Sequence, residues 1–80
     1  MSTLNEQMSR ALLSFMEDQG VTKADVARRL GRAQSYVGKR LDGTRDVSMD
    51  IAGAVADLAG ISPAALMMEL TERMWRAQRP

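Results

Sequence analysis

The side chains of this 80-residue chain that can engage a charged partner are concentrated in one stretch. Between Thr22 and Arg45 stand Lys23, Arg28, Arg29, Arg32, Lys39, Arg40 and Arg45, opposed only by Asp25 and Asp42, so this block carries +5. Met1 to Val21 amounts to −2, Asp46 to Glu72 holds five acids and no base, and Arg73, Arg76 and Arg79 add +3 at the end. The total of +1 conceals this segregation. Guanidinium and ammonium groups confined to one stripe are suited to pairing with phosphates, and such a stripe is the electrostatic footprint of a nucleic-acid binder. The plain alternative is that the charges solvate outer helix faces. Charge alone leaves the two readings balanced.

Other chemistries are poorly provided for. Without Cys the chain forms no disulfide framework and no thiolate metal site. Without His it lacks the commonest metal ligand and general base. The adjacent acids Glu17 and Asp18 come with no pocket-forming architecture. No apolar run approaches the ~20 residues that cross a bilayer, and Met1 to Arg10 carry no signal-peptide pattern. The expectation is a cytoplasmic, non-catalytic single domain over residues 1–80, with no cofactor, metal, membrane or small-molecule substrate.

The elements that position the basic stripe are short helices. Strand-like alternation never lasts beyond a few positions, whereas helical spacing recurs throughout. Met8, Leu12, Phe15 and Met16 mark one face of a helix from about Leu4 to Gln19, ended by Gly20. Thr22 caps a second helix, with Asp25 as the acidic partner of a capping box; Val26 and Leu30 form its apolar edge and Gly31 stops it. A third runs from about Gln34 to Leu41 on the pair Val37 and Leu41. It is weakly supported locally: Ala33 is a poor cap, costing roughly 1 kcal/mol relative to Ser or Thr, and Gly38 costs about 1 kcal/mol more relative to Ala. Ser48 caps a fourth helix, Met49 to Ala59, with Ile51, Val55 and Leu58 as its face. Ser62 and Pro63 open a fifth, with Leu66, Leu70 and Met74 at four-residue spacing, reaching about Ala77. Five helices joined by two to six residues make a compact all-α domain.

The segment TKADVARRLGRAQSYVGKRLDG, residues 22–43, resembles the helix-turn-helix of the Cro and phage-repressor superfamily, the XRE family. The matching positions are Thr22, Val26-Ala27, Leu30-Gly31, Val37 and Gly43, with Ser48, Ile51, Val55, Leu58, Gly60 and Ser62 downstream and Met8, Leu12 and Phe15 upstream. The likeness covers about residues 8–67. The run Ser35-Tyr36-Val37-x-x-Arg40-Leu41-x-Gly43 is similar to a variant of actinobacterial and actinophage regulators. The small Ala27 and the free backbone of Gly31 suit two short helices crossing steeply through a tight turn.

The resemblance implies a lambda-repressor-like DNA-binding fold whose third helix enters the major groove of double-stranded DNA. Gln34, Ser35 and Lys39 would read bases, with Arg32 and Tyr36 beside them; Gln pairs bidentately with adenine and Lys donates to guanine. Thr22, Lys23, Arg40, Thr44 and Arg45 would contact phosphates, while Arg28 and Arg29 stay open between phosphate contact and solvated surface. The implied protein is a transcriptional regulator in a bacterial cytoplasm, a phage repressor or Cro-like protein acting by operator occupancy. The alternative is an antitoxin or antirepressor that binds a protein partner through the same fold.

Three features depart from the family. Met16 and Leu41 stand where many members carry an internal Arg–Glu pair, so these two are expected to meet as an apolar pair. Arg40 replaces a large apolar residue. The last helix is longer than usual and apolar beyond one stripe. Within residues 63–78, Met67, Leu70, Met74 and Trp75 form a candidate homodimer interface; the competing expectation folds Trp75 back onto the first helix.

Overall fold

The computed structural model describes residues 3–42 and 47–79. They form α1 (Leu4–Gln19), α2 (Lys23–Leu30), α3 (Gln34–Leu41), α4 (Met49–Ala59) and α5 (Pro63–Ala77). Among the described residues there is no strand. The sequence-based bounds coincide with these elements, except that the α3–α4 connection is seven residues rather than at most six.

Local chemistry explains most of the bounds. The Thr22 hydroxyl accepts from the Asp25 N–H at 3.1 Å while the Asp25 carboxylate accepts from the Thr22 N–H at 3.0 Å, a complete capping box. Thr3 and Ser62 likewise accept from the backbone of Glu6 and Ala65, at the starts of α1 and α5. At the end of α2, Gly31 adopts a left-handed conformation (φ 65°), and the following Arg32 N–H reaches back to the Ala27 carbonyl at 3.0 Å. That turn needs glycine, because a Cβ is strained at this φ. Ser48 occupies the N-cap position of α4, but its side chain makes no cap hydrogen bond. Its buried Oγ finds no hydrogen-bond partner of good geometry, so this cap is positional only.

α3 has no side-chain cap at all. Tertiary burial holds it: Val37 and Leu41 are both essentially inaccessible. They join a core made by Leu12, Phe15 and Met16 of α1, Val26 and Ala27 of α2, Ile51 and Val55 of α4, and Leu66 and Leu70 of α5. Met16 and Leu41, expected to meet as an apolar pair, both lie in this core. α2 packs against α3 and α4, and α1 packs against α3, α4 and α5.

The structure corrects the expected face of α4. Leu58 is 40 % exposed, whereas Ala52, Ala54 and Ala56 are buried. Surrounded by α1, α2 and α5, α4 is covered over a broad arc, and its alanines permit close approach. A single stripe of large apolar residues is therefore the wrong template for it. α5 is held to α1 by Arg73. Its guanidinium donates to Ser14 Oγ at 2.8 Å, pairs with Asp18 at 2.7 Å and Glu69 at 3.3 Å, and lies over the Phe15 ring at 5.5 Å. The Asp18 hydrogen bond raises the Arg73 pKa above its ordinary value. Gln78 also donates to Gln7 across the same seam, and Asn5 Oδ1 accepts from the Val47 N–H at 2.9 Å, tying the approach to α4 onto α1.

Candidate nucleic-acid interface

The α2–turn–α3 unit places the basic stripe according to helical spacing. With Val37 and Leu41 turned into the core, Ser35 and Lys39, one turn apart, face outward, and Gln34 is exposed at the first position of the helix, with Gly38 one turn after it. Arg32, in the turn before α3, is exposed beside this outer strip. A Cβ built on Gly38 meets nothing within 4 Å, so no packing within the chain requires glycine there.

Tyr36 lies at the edge of the strip and is packed partly against the core. Its hydroxyl donates to Asp50 Oδ2 at 3.3 Å, which links α3 to the first turn of α4. The Arg32 and Arg40 guanidiniums lie 4.9 and 5.2 Å from its ring centroid. Arg40 is half-buried. The Asp50 carboxyl is held below its ordinary pKa, first by the neighbouring Ser48 hydroxyl, against desolvation as the next-largest effect, with the Ile51 N–H and the Tyr36 hydroxyl adding to the lowering.

The expected phosphate-contact residues are placed less uniformly. Thr22 is exposed at the start of α2, its hydroxyl oxygen already accepting the capping bond, and Lys23 beside it is half-buried. Thr44 and Arg45, with the motif position Gly43, lie outside the described residues. Arg28 and Arg29, left open by the sequence, are engaged within the chain: Arg28 with Asp25 at 2.5 Å and Arg29 with Asp57 at 2.8 Å. Arg29 therefore braces α2 against α4. The sequence reading missed Asp50 and Arg73, and no motif spacing marks either one. Tyr36 and Asp50 are 14 residues apart and meet only through tertiary packing.

The candidate dimer residues divide. Leu70 is 1 % exposed and belongs to the core, which removes it from any interface surface. Its four-residue spacing with Leu66 marks the inward face of α5. Met67 and Met74 are partly buried at the core's margin. Trp75 is 67 % exposed, so it is not folded away against α1. Leu4 and Met68 are also exposed, and Met68, absent from the expected set, extends the apolar surface of α5.

Among the described residues, no cluster of His, Cys, Asp or Glu is arranged to hold a metal, and no single helix is long and apolar enough to cross a membrane.

Five helices in this order, with a tight α2–α3 turn and the polar, basic face of α3 left uncovered, define a helix-turn-helix regulator fold. A solved structure of that kind, the clp gene regulator ClgR from C. glutamicum, matches with a TM-score of 0.70 and 28% sequence identity, over 92% of this chain and 96% of that chain. No family model matches the chain, and no curated protein matches it.

Proposed function

We propose that this chain is a transcriptional regulator that binds a specific double-stranded DNA site through α3, as a repressor of the phage or Cro-like kind acting by operator occupancy. The observation that carries the reading is the outer strip of α3: Gln34, Ser35 and Lys39 stand exposed with Arg32 beside them, on the helix this fold inserts into the major groove. The near full-length likeness to a gene regulator supports it. Gln34, Ser35 and Lys39 read base edges. Thr22, Lys23, Arg40, Thr44 and Arg45 engage phosphates, which position the protein without specifying sequence.

Selection of bound sequences from a random duplex library, followed by a salt titration on the winning site, tests this. Affinity should fall with salt at a slope near −0.9 per phosphate neutralised. Gln34→Ala or Lys39→Ala should cost about 1–3 kcal/mol and relax preference at one base pair, whereas Lys23→Ala should weaken all duplexes alike. No binding at low salt defeats the proposal. Unchanged sequence preference in both α3 variants defeats the placement of the reading helix.

The exposed apolar residues Leu4, Met68 and Trp75 favour a second element of function, association through α5. We place a homodimer there, bordered by Met67 and Met74, which would set two recognition helices about 34 Å apart on a palindromic site. A protein partner at that surface, as in an antitoxin or antirepressor, is the competing occupant.

A further inference from the structure

Tyr36 is used twice in the structure, and neither use points toward a base. Its hydroxyl is committed to Asp50 on α4 at 3.3 Å. Its ring lies under two guanidiniums, Arg32 one turn earlier in the chain and Arg40 one turn later, at 4.9 and 5.2 Å from the centroid. No more than about 10 Å therefore separates these two cations. Like charges held this close repel each other. The negative face of an aromatic ring offsets that repulsion and confines both groups, while the Asp50 carboxylate holds the hydroxyl end of the ring in place and supplies a nearby counter-charge. A polyanion relieves the repulsion further, and it gains from meeting two cations whose spacing is already set.

We propose that Tyr36, anchored by Asp50, is a positioning residue that spaces Arg32 and Arg40 as a paired clamp for neighbouring backbone phosphates on either side of the base-reading strip. This rests on the reading of α3 as the groove helix and assigns Tyr36 to support rather than to base reading. Asp50 then belongs to the interface although it faces DNA with the wrong sign, because its work is done through Tyr36.

Two substitutions separate the parts. Tyr36→Phe removes only the Asp50 link and leaves every formal charge unchanged. Tyr36→Leu removes the ring and keeps an apolar filler against the core. In the free protein, NMR should show ring-current-shifted side-chain protons for both Arg32 and Arg40, diminished in Tyr36→Phe and abolished in Tyr36→Leu. On duplex DNA, Tyr36→Leu should flatten the salt slope by one to two phosphate equivalents, about 0.9 each, with the base preference of Gln34 and Lys39 retained. Tyr36→Phe should bind more weakly than wild type and recover as salt rises toward the wild-type curve. A packing role alone would lower the melting temperature and leave the slope unchanged, and that result overturns the proposal. So do arginine signals indifferent to both substitutions. Should Tyr36→Leu fail to fold, the Tyr36→Phe signals decide. Wild-type protein that ignores duplex DNA at low salt would defeat the regulatory reading instead, while the free-protein spectra still report whether the stack exists.

Discussion

Gly38 shows how much one residue can reveal when nothing around it needs it. It lies in the middle of α3 with an ordinary helical backbone and open space where a Cβ would stand. Gly53, in α4, has the same open surroundings. Each should therefore be stabilised by alanine, by about 1 kcal/mol, through helix propensity alone. The two should part in binding. Gly38→Ala places a methyl on the strip between Ser35 and Lys39 and is expected to weaken duplex affinity, whereas Gly53→Ala lies outside that strip and is expected to leave it unchanged. Chemical denaturation beside a binding isotherm checks both, and equal affinity in the two variants would remove any role for Gly38 in close approach to DNA. Ser35 and Lys39 were legible as an outward pair because i and i+4 share a helix face, whereas Gln34, seven residues before buried Leu41, was legible only through the resemblance and is exposed at the first position of α3. Tyr36 was legible as a neighbour of the strip, but its tie to Asp50 was not.

The helices are stabilised by different means, and this sets how each responds to change. α2 depends on its capping box: Thr22→Ala should cost about 1 kcal/mol. The Asp25 carboxyl is held below its ordinary pKa, first by the Thr22 backbone and side-chain hydrogen bonds and then by Arg28, against some desolvation. A carboxyl whose folded pKa is depressed contributes stability above its unfolded value, near 3.9, and loses it as pH falls through the folded value. Asp50, lowered in the same sense, acts in parallel. The melting temperature should accordingly fall as pH drops from roughly 5 toward 2, and that of Asp25→Ala should start lower at neutral pH and fall less steeply. An unchanged acid limb in that variant would show that the box does not contribute. α5 depends on Arg73, which is largely covered and bound to Ser14, Asp18 and Glu69 together. Arg73→Ala should lower stability by about 1–2 kcal/mol and should expose the α1–α5 seam to hydrogen exchange before the α2–α3 unit. Uniform exchange would contradict this. α3 has no side-chain cap, so its stability rests on the core it closes and on ties such as Tyr36 to Asp50 of α4.

Across the whole molecule, charge and apolar surface fall on different elements. The +5 stretch of the sequence is thinned by folding, because Arg28 and Arg29 are drawn into pairs with Asp25 and Asp57. Of the exposed large apolar residues, Trp75, Met68 and Leu4 stand on α5 and the start of α1, while Met49 and Leu58 stand on α4. The chain's single tryptophan is among them, so it reports directly on what covers it. If α5 is the dimer interface, Trp75 emission should shift to the blue as concentration rises through the micromolar range, in step with a doubling of mass by sedimentation. Red-shifted emission with monomer mass throughout would exclude the homodimer and leave a protein partner as the occupant. The sequence by itself determined the number, bounds and order of the helices, because caps, terminating glycines and i, i+4 apolar pairs act within a few residues. It also determined which strip of α3 faces outward. Tertiary structure alone decided the rest. It exposed Leu58, paired Arg29 with Asp57, and joined Tyr36 to Asp50 and Arg73 to Asp18. Each of these depends on how whole helices rotate against one another, and no local spacing encodes that rotation.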